Sequence, residues 1–266
     1  MNFRGISAVV LRYLLLYGRN PLRLFELFFW PLIHLVVWGY LSVYLSQTQP
    51  ENAGLPITFL LGGVLLWDIQ FRATQGVSIS FLEDVWTRNL LNIFVAPIRT
   101  WEVVVGMCTV GLLRVLATFP ILITVAYFNY QFNVFEFELA LIPFALNLLF
   151  FGWALGIFAN ALILRWGQAA EGLAWALPFM VQPISAIFYP VEILPPFLQS
   201  IAMSLPPTHI FEGMRDVLSN KTEGLNAHLI WATVLNLVWM VAAGCVMAWV
   251  LRIARQRGLL VKVASQ

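Results

Sequence analysis

An all-α integral membrane protein is the fold class that three features of this sequence predict. The 266 residues are 61% hydrophobic and 11% charged, with a mean hydropathy of +0.83. That is more apolar surface than a soluble core of this size buries. The apolar residues fall into long runs separated by short polar loops, and six of the runs are read as transmembrane helices. The bases are segregated too, because all but Arg114, Arg215 and Lys221 fall at the termini and on loops of one side. The net charge of +2 and the absence of a basic run exclude nucleic acid as an expected partner.

Taken in order, residues 3–23 read as an N-terminal amphipathic interface helix. Arg12, Arg19 and Arg23 fall within roughly 40° of one another on a helical wheel, a basic stripe suited to anionic headgroups. No cleavable signal peptide is expected, since Arg12 interrupts the first apolar run and no small-residue cleavage site follows. Asn20-Pro21 turns the chain into a first span over 24–45, which carries Pro31 and His34. His34 is read as a hydrogen-bonded helix contact, because no second ligand is near it in sequence. The second span, 57–80, contains Asp68 and Arg72 four residues apart. The third, 101–127, has Arg114 near its middle, and the fourth and fifth are placed at 139–164 and 172–188. Residues 189–227 contain two proline-started apolar segments too short to cross a bilayer, the pattern of external re-entrant helices. A sixth span over 228–251 and a basic tail over 252–266 complete one transmembrane domain, 1–266. The base distribution places both termini in the cytoplasm.

Between the second and third spans lies residues 82–97, LEDVWTRNLLNIFVAP. Read as one helix it puts Trp86, Leu90, Ile93 and Phe94 on one face and Asp84, Arg88 and Asn92 on the other, with Pro97 as its stop. Asp84 and Arg88 have the spacing of a supporting helix pair. A cytoplasmic surface helix is the expected structure.

Chemistry-bearing residues are few. No Gly-Lys pair exists, so a P-loop nucleotide site in this chain is excluded. His34, His209 and His228 lie on separate segments without metal-ligand spacing. Cys108 and Cys245 sit inside apolar runs and read as small hydrophobes. The costly groups are the charges at membrane depth. Asp68 is expected to pair with Arg114 or Arg72, and the alternative use of Asp68 and Arg114 is an ion-coupled site in a self-contained secondary transporter.

Two stretches resemble a known family. SFLEDVWTRNLLNIFVAPIRTWEVVVG, Ser80 to Gly106, is similar to the cytoplasmic loop of type-2 ABC transporter (ABC-2) permeases. FYPVEILPPFLQSIAMSLPPTHIFEGMR, Phe188 to Arg215, is similar to that family's external region after the fifth span. The resemblance implies a permease half in a bacterial-type inner membrane that dimerises, as a homodimer, and moves a hydrophobic or amphipathic substrate outward. It implies no enzyme activity or cofactor in this chain. ATP and Mg would be bound by two copies of a separate soluble ATPase, and membrane lipids would be the remaining partners. It carries the role of coupling helix onto Glu83, Asp84, Trp86, Arg88, Leu90 and Leu91. Onto Pro190, Leu194, Pro195, Pro207, Glu212 and Arg215 it carries the role of an external re-entrant cap. On this reading a proline at Leu90 is expected to uncouple hydrolysis from export.

Overall fold

The computed structural model describes residues 3–48, 54–219 and 224–256. The elements in chain order are α1 (Phe3–Gly18), α2 (Pro21–Thr48), α3 (Gly54–Trp86), α4 (Leu90–Val95), α5 (Thr100–Tyr130), α6 (Leu141–Trp166), α7 (Glu171–Val181), α8 (Pro196–Ala202), α9 (Pro206–Leu218) and α10 (Leu225–Gln256). Short 3₁₀ turns join several of them, and no strand occurs among the described residues.

Helix α3 is the axis of the bundle. From Leu61 to Val85 every residue is buried except the half-buried Phe71. Helices α2, α5, α6 and α7 pack around it. Its burial among protein explains its polarity, since Asp68, Gln70, Arg72, Thr74 and Gln75 are all buried. By length and apolar composition four helices among the described residues can cross a membrane: α2, α5, α6 and α10. The second expected span is therefore present as a helix of 33 residues, about 50 Å at 1.5 Å per residue, but it is a core helix with a polar face. The fifth expected span is helical for only 11 residues, about 16 Å, and Gln182 to Phe188 continue as turns. Pro178 and Pro183 bracket that break, and proline removes amide donors a longer helix would need.

Glycine lets α3 meet its neighbours backbone to backbone. A Cβ on Gly76 would stand 2.1 Å from the Gly111 Cα on α5, and one on Gly152 of α6 would stand 2.5 Å from the Gln70 carbonyl oxygen. Such contact between small residues drives helix association where lipid offers no hydrophobic gain. Helices α6 and α10 are joined by polar contacts instead: Asn236 Nδ2 donates to Asn147 Oδ1 at 2.8 Å and to the Asn147 carbonyl at 3.0 Å. Asn236→Leu is expected to cost about 1 kcal/mol, the usual size of an interhelical hydrogen bond in a membrane. Thermal unfolding of the purified variant reads that loss directly.

The described ends of the chain lie together, since Gly5 approaches Glu102 and Arg255 Nη2 is 3.4 Å from Thr100 Oγ1. Helix α1 does not present the predicted basic stripe to its surroundings. Gly5, Val9 and Tyr13, one turn apart, are buried against α5 and α3. Leu11, Leu14 and Leu15 are exposed instead, and Arg12 and Arg23 turn inward to carboxylates. Buried carboxylates attract the arginines more strongly than headgroups would, because charges out of water are costly unless paired. His34 accepts a hydrogen bond from Trp38 Nε1 at 2.9 Å, as expected of a helix contact.

Candidate functional site

The corner between α3 and α5 is not one continuous helix. Arg88 adopts a left-handed backbone with φ of 55°. Its N–H donates to the Val85 carbonyl at 3.0 Å, and the Asn89 N–H donates to the Asp84 carbonyl at 2.8 Å. These paired bonds close a helix around a left-handed residue, a position glycine usually fills. The sequence offers no glycine there, so periodicity alone extended the helix through the break. Helix α4 is then a single short turn and a half, ended at Ala96 by the extended backbone that Pro97 requires.

The break separates the residues expected to dock a partner. Asp84 is fully buried and accepts hydrogen bonds from Arg12 Nη2 and Tyr13 Oη. Burial, then the charge and hydrogen bond of Asp84, holds the Tyr13 phenol well above its ordinary pKa, so it stays a donor. Glu83 Oε1 pairs with Arg23 Nη1 at 2.9 Å. Both acids therefore fasten the α1–α2 segment to α3, and no Asp84–Arg88 ion pair forms among the described residues. Leu90 is 1% exposed and belongs to the core. Trp86 is 41% exposed, with its indole N–H donated to Glu171 of α7 at 3.1 Å. Arg88 and Val95 face outward. The side chains of Leu91 and Phe94 lie outside the described set.

At the opposite end, the region after α7 is folded back onto α9. Arg215 donates through Nη2 to the carbonyls of Ala186 and Tyr189, and pairs with Glu212 at 2.9 Å. Glu212 Oε1 in turn accepts the Val191 N–H at 2.8 Å. Pro190 and Pro195 hold extended backbone before the next short helices, and the Leu194 carbonyl accepts Gln199 Nε2 at 2.7 Å. Pro206 and Pro207 open α9, where a missing amide proton costs nothing. Short helices and the half-buried Glu212–Arg215 pair thus tie the segment after α7 to α9.

Residues 4–219 match the family model described as ABC-2 type transporter. The chain belongs to the ABC-2 transporter family. It is 24% identical over 207 residues to the inner membrane transport permease YadH of Escherichia coli, covering 76% of each chain. It is 28% identical over 188 residues to ABC transporter G family member 20 of Dictyostelium discoideum, which spans 70% of this chain and 25% of that protein.

In this ABC-2 permease the intramembrane charges divide unequally. Asp68 Oδ1 accepts from Arg72 Nε at 3.2 Å, with both side chains buried. Arg114 has no carboxylate partner among the described residues; its guanidinium lies 4.6 Å from the centre of the Tyr17 ring. Of the two pairings expected for Asp68, the one within α3 is formed. These groups line a cavity of about 360 Å³ between α2, α3, α5 and α7, with Tyr17 of α1 also in its lining. Its walls include Trp30, Trp67, Phe71, Trp175 and Phe179. Glu83 and Trp86 also line it, so the cavity and the α3–α4 corner share one helix.

Sequence reasoning missed Tyr13, Tyr17, Gln75 and the aromatic wall. A signal for the first was present in the Gly5, Val9, Tyr13 spacing, small and apolar residues one turn apart. The cavity had no such signal, because its lining runs from Tyr17 to Phe179, through segments that each read locally as an ordinary helix.

Proposed function

We propose that this chain is the permease subunit of an ATP-driven exporter, working as a homodimer with two copies of a soluble ATPase that bind ATP and Mg. Its orientation in a bacterial-type inner membrane puts both termini and α4 in the cytoplasm, following the excess of bases at that end. The substrate is hydrophobic or amphipathic, and it leaves through a path gated by the external Glu212–Arg215 cap.

One observation carries this reading: a rigid corner with an outward face is built onto the helix that lines the cavity. Arg12 and Arg23 brace α3 through Asp84 and Glu83, while Arg88 and Val95 face outward beside the half-exposed Trp86. A partner pushing on that face would move α3, and with it Asp68, Arg72 and the aromatic wall. Closure of an ATPase pair can then bias the permease between two states, which requires only that the partner grip one state more tightly.

The corner also changes which variant tests coupling. Leu90 is the first residue of α4, where proline is tolerated, and its side chain is core. Arg88→Gly is the better probe, because glycine suits the left-handed backbone and removes only the exposed side chain. We expect Arg88→Gly combined with Val95→Asp to leave insertion and thermal stability intact. The same pair should cut co-purification of the ATPase and export in inside-out vesicles at least tenfold. Unchanged co-purification of an ATPase by this double variant would reject the corner as the coupling element. Transport driven by an ion gradient without ATP would reject the exporter reading itself.

A further inference from the structure

Arg114 is a charge that the protein buries without a hydrogen-bonding partner among the described residues. It is 7% exposed, and its Nε and Nη2 have no hydrogen-bond partner among the described residues. The face of Tyr17 offers a cation–π contact, which attracts the charge but accepts none of its N–H bonds in the usual geometry. A buried cation with unmet donors is expensive, so such a group marks a site where a ligand completes it.

The other charged groups around the cavity are already engaged or stand apart. Asp68 is paired with Arg72 of its own helix, and Glu83 with Arg23 of α2. His34 of α2 accepts the Trp38 indole proton. Glu26 of α2 is exposed. From α7 the cavity receives only Trp175 and Phe179, and from α1 only Tyr17. Gln75, which lines the same cavity, adds a third unmet donor atom: its Nε2 is buried without a partner among the described residues. The Gly76–Gly111 contact brings α3 and α5 together one residue from Gln75 and three from Arg114.

Three buried nitrogens without a partner among the described residues, two on Arg114 and one on Gln75, thus belong to side chains that line a cavity rich in aromatic residues. A neutral apolar molecule would cover the wall and leave the donors bare. A small inorganic anion would meet the donors and leave the wall wet. We propose that the cavity binds an amphiphile with an anionic phosphate or carboxylate headgroup. The headgroup is held by Arg114 and Gln75, and the chain lies along Trp30, Trp175 and Phe179. Its volume of about 360 Å³ is within the range of small-ligand sites, roughly 300–1,000 Å³. This deepens the exporter reading by giving the class of amphiphile, yet the binding itself needs no ATPase.

The test is tryptophan quenching of the purified full chain in phosphatidylcholine nanodiscs doped with phosphatidic acid brominated along its chain. We expect the brominated acid to quench at a mole fraction at least tenfold lower than brominated phosphatidylcholine. Arg114→Gln should abolish that preference, and Arg114→Lys should keep most of it. Equal quenching by the two lipids in the wild-type protein overturns the proposal, and this comparison needs no variant to fold. An unchanged preference in Arg114→Gln overturns it as well. Reversal of the quench by excess inorganic phosphate would assign the site to a free anion and overturn the amphiphile. With the ATPase present in vesicles, ATP-dependent loss of the quench identifies the amphiphile as cargo and its persistence identifies a resident lipid; either upholds the site. Failure of export with binding intact leaves this site standing and removes only the exporter reading.

Discussion

Arg12→Met is expected to destabilise the purified protein by about 2–3 kcal/mol, because it strands the Asp84 carboxylate. Asp84 has no exposed surface, and removing one member of a buried pair leaves an uncompensated charge that typically costs about 3–5 kcal/mol. The lower figure applies because Arg12 is 34% exposed at its side chain, so water already screens part of the attraction. For a chain of this length about 2–4 °C of melting temperature is lost per kcal/mol. Adding Asp84→Asn should recover most of the loss, since asparagine is neutral and still accepts from Tyr13. Thermal melts of the two single variants and the double variant measure the coupling. Additive losses would mean that Arg12 and Asp84 do not depend on each other. If the pair also braces the corner, Arg12→Met should lower ATPase stimulation by substrate even at temperatures where the protein is folded.

Gly76→Ala is expected to be the most damaging single methyl group in the chain. The added carbon would stand 2.1 Å from the Gly111 Cα and 2.6 Å from its nitrogen, both backbone atoms that cannot rotate away. Helix α3 would have to leave α5, and overpacking of this kind costs about 3 kcal/mol or more. Little folded protein should accumulate in the membrane. Gly244→Ala, in the exposed part of α10 with nothing within 4 Å of the new carbon, is the matched control. It should be neutral or slightly stabilising, as alanine favours helix by about 1 kcal/mol over glycine. Equal yields of the two variants by fluorescence-detected gel filtration would contradict the packing of α3 against α5.

Both variants touch features whose legibility in the sequence differed for physical reasons. The apolar runs and the loop prolines act locally, so their spacing predicted the long helices, while the fifth expected span, 172–188, is helical only over Glu171–Val181. The Asp68–Arg72 pair is likewise local, one helical turn apart, and it formed. The Arg88 break was illegible because its left-handed residue is not a glycine. The inward turn of Glu83 and Asp84 was illegible because their partners, Arg12 and Arg23, are about 60 to 70 positions away.

By itself the sequence determined that this chain is a helical membrane protein with a polar corner between its second and third long helices. Composition, periodicity and proline chemistry act over a few residues and need no partner to be read. Only the tertiary structure decided that α3 is a central core helix, that its terminal acids hold the N-terminal segment, and that Arg114 has no hydrogen-bonding partner among the described residues and lines a cavity rich in aromatic residues. Those outcomes depend on which faces meet across the bundle. Close glycine contacts and the cost of unpaired charge settle that, and neither is a property of any one segment.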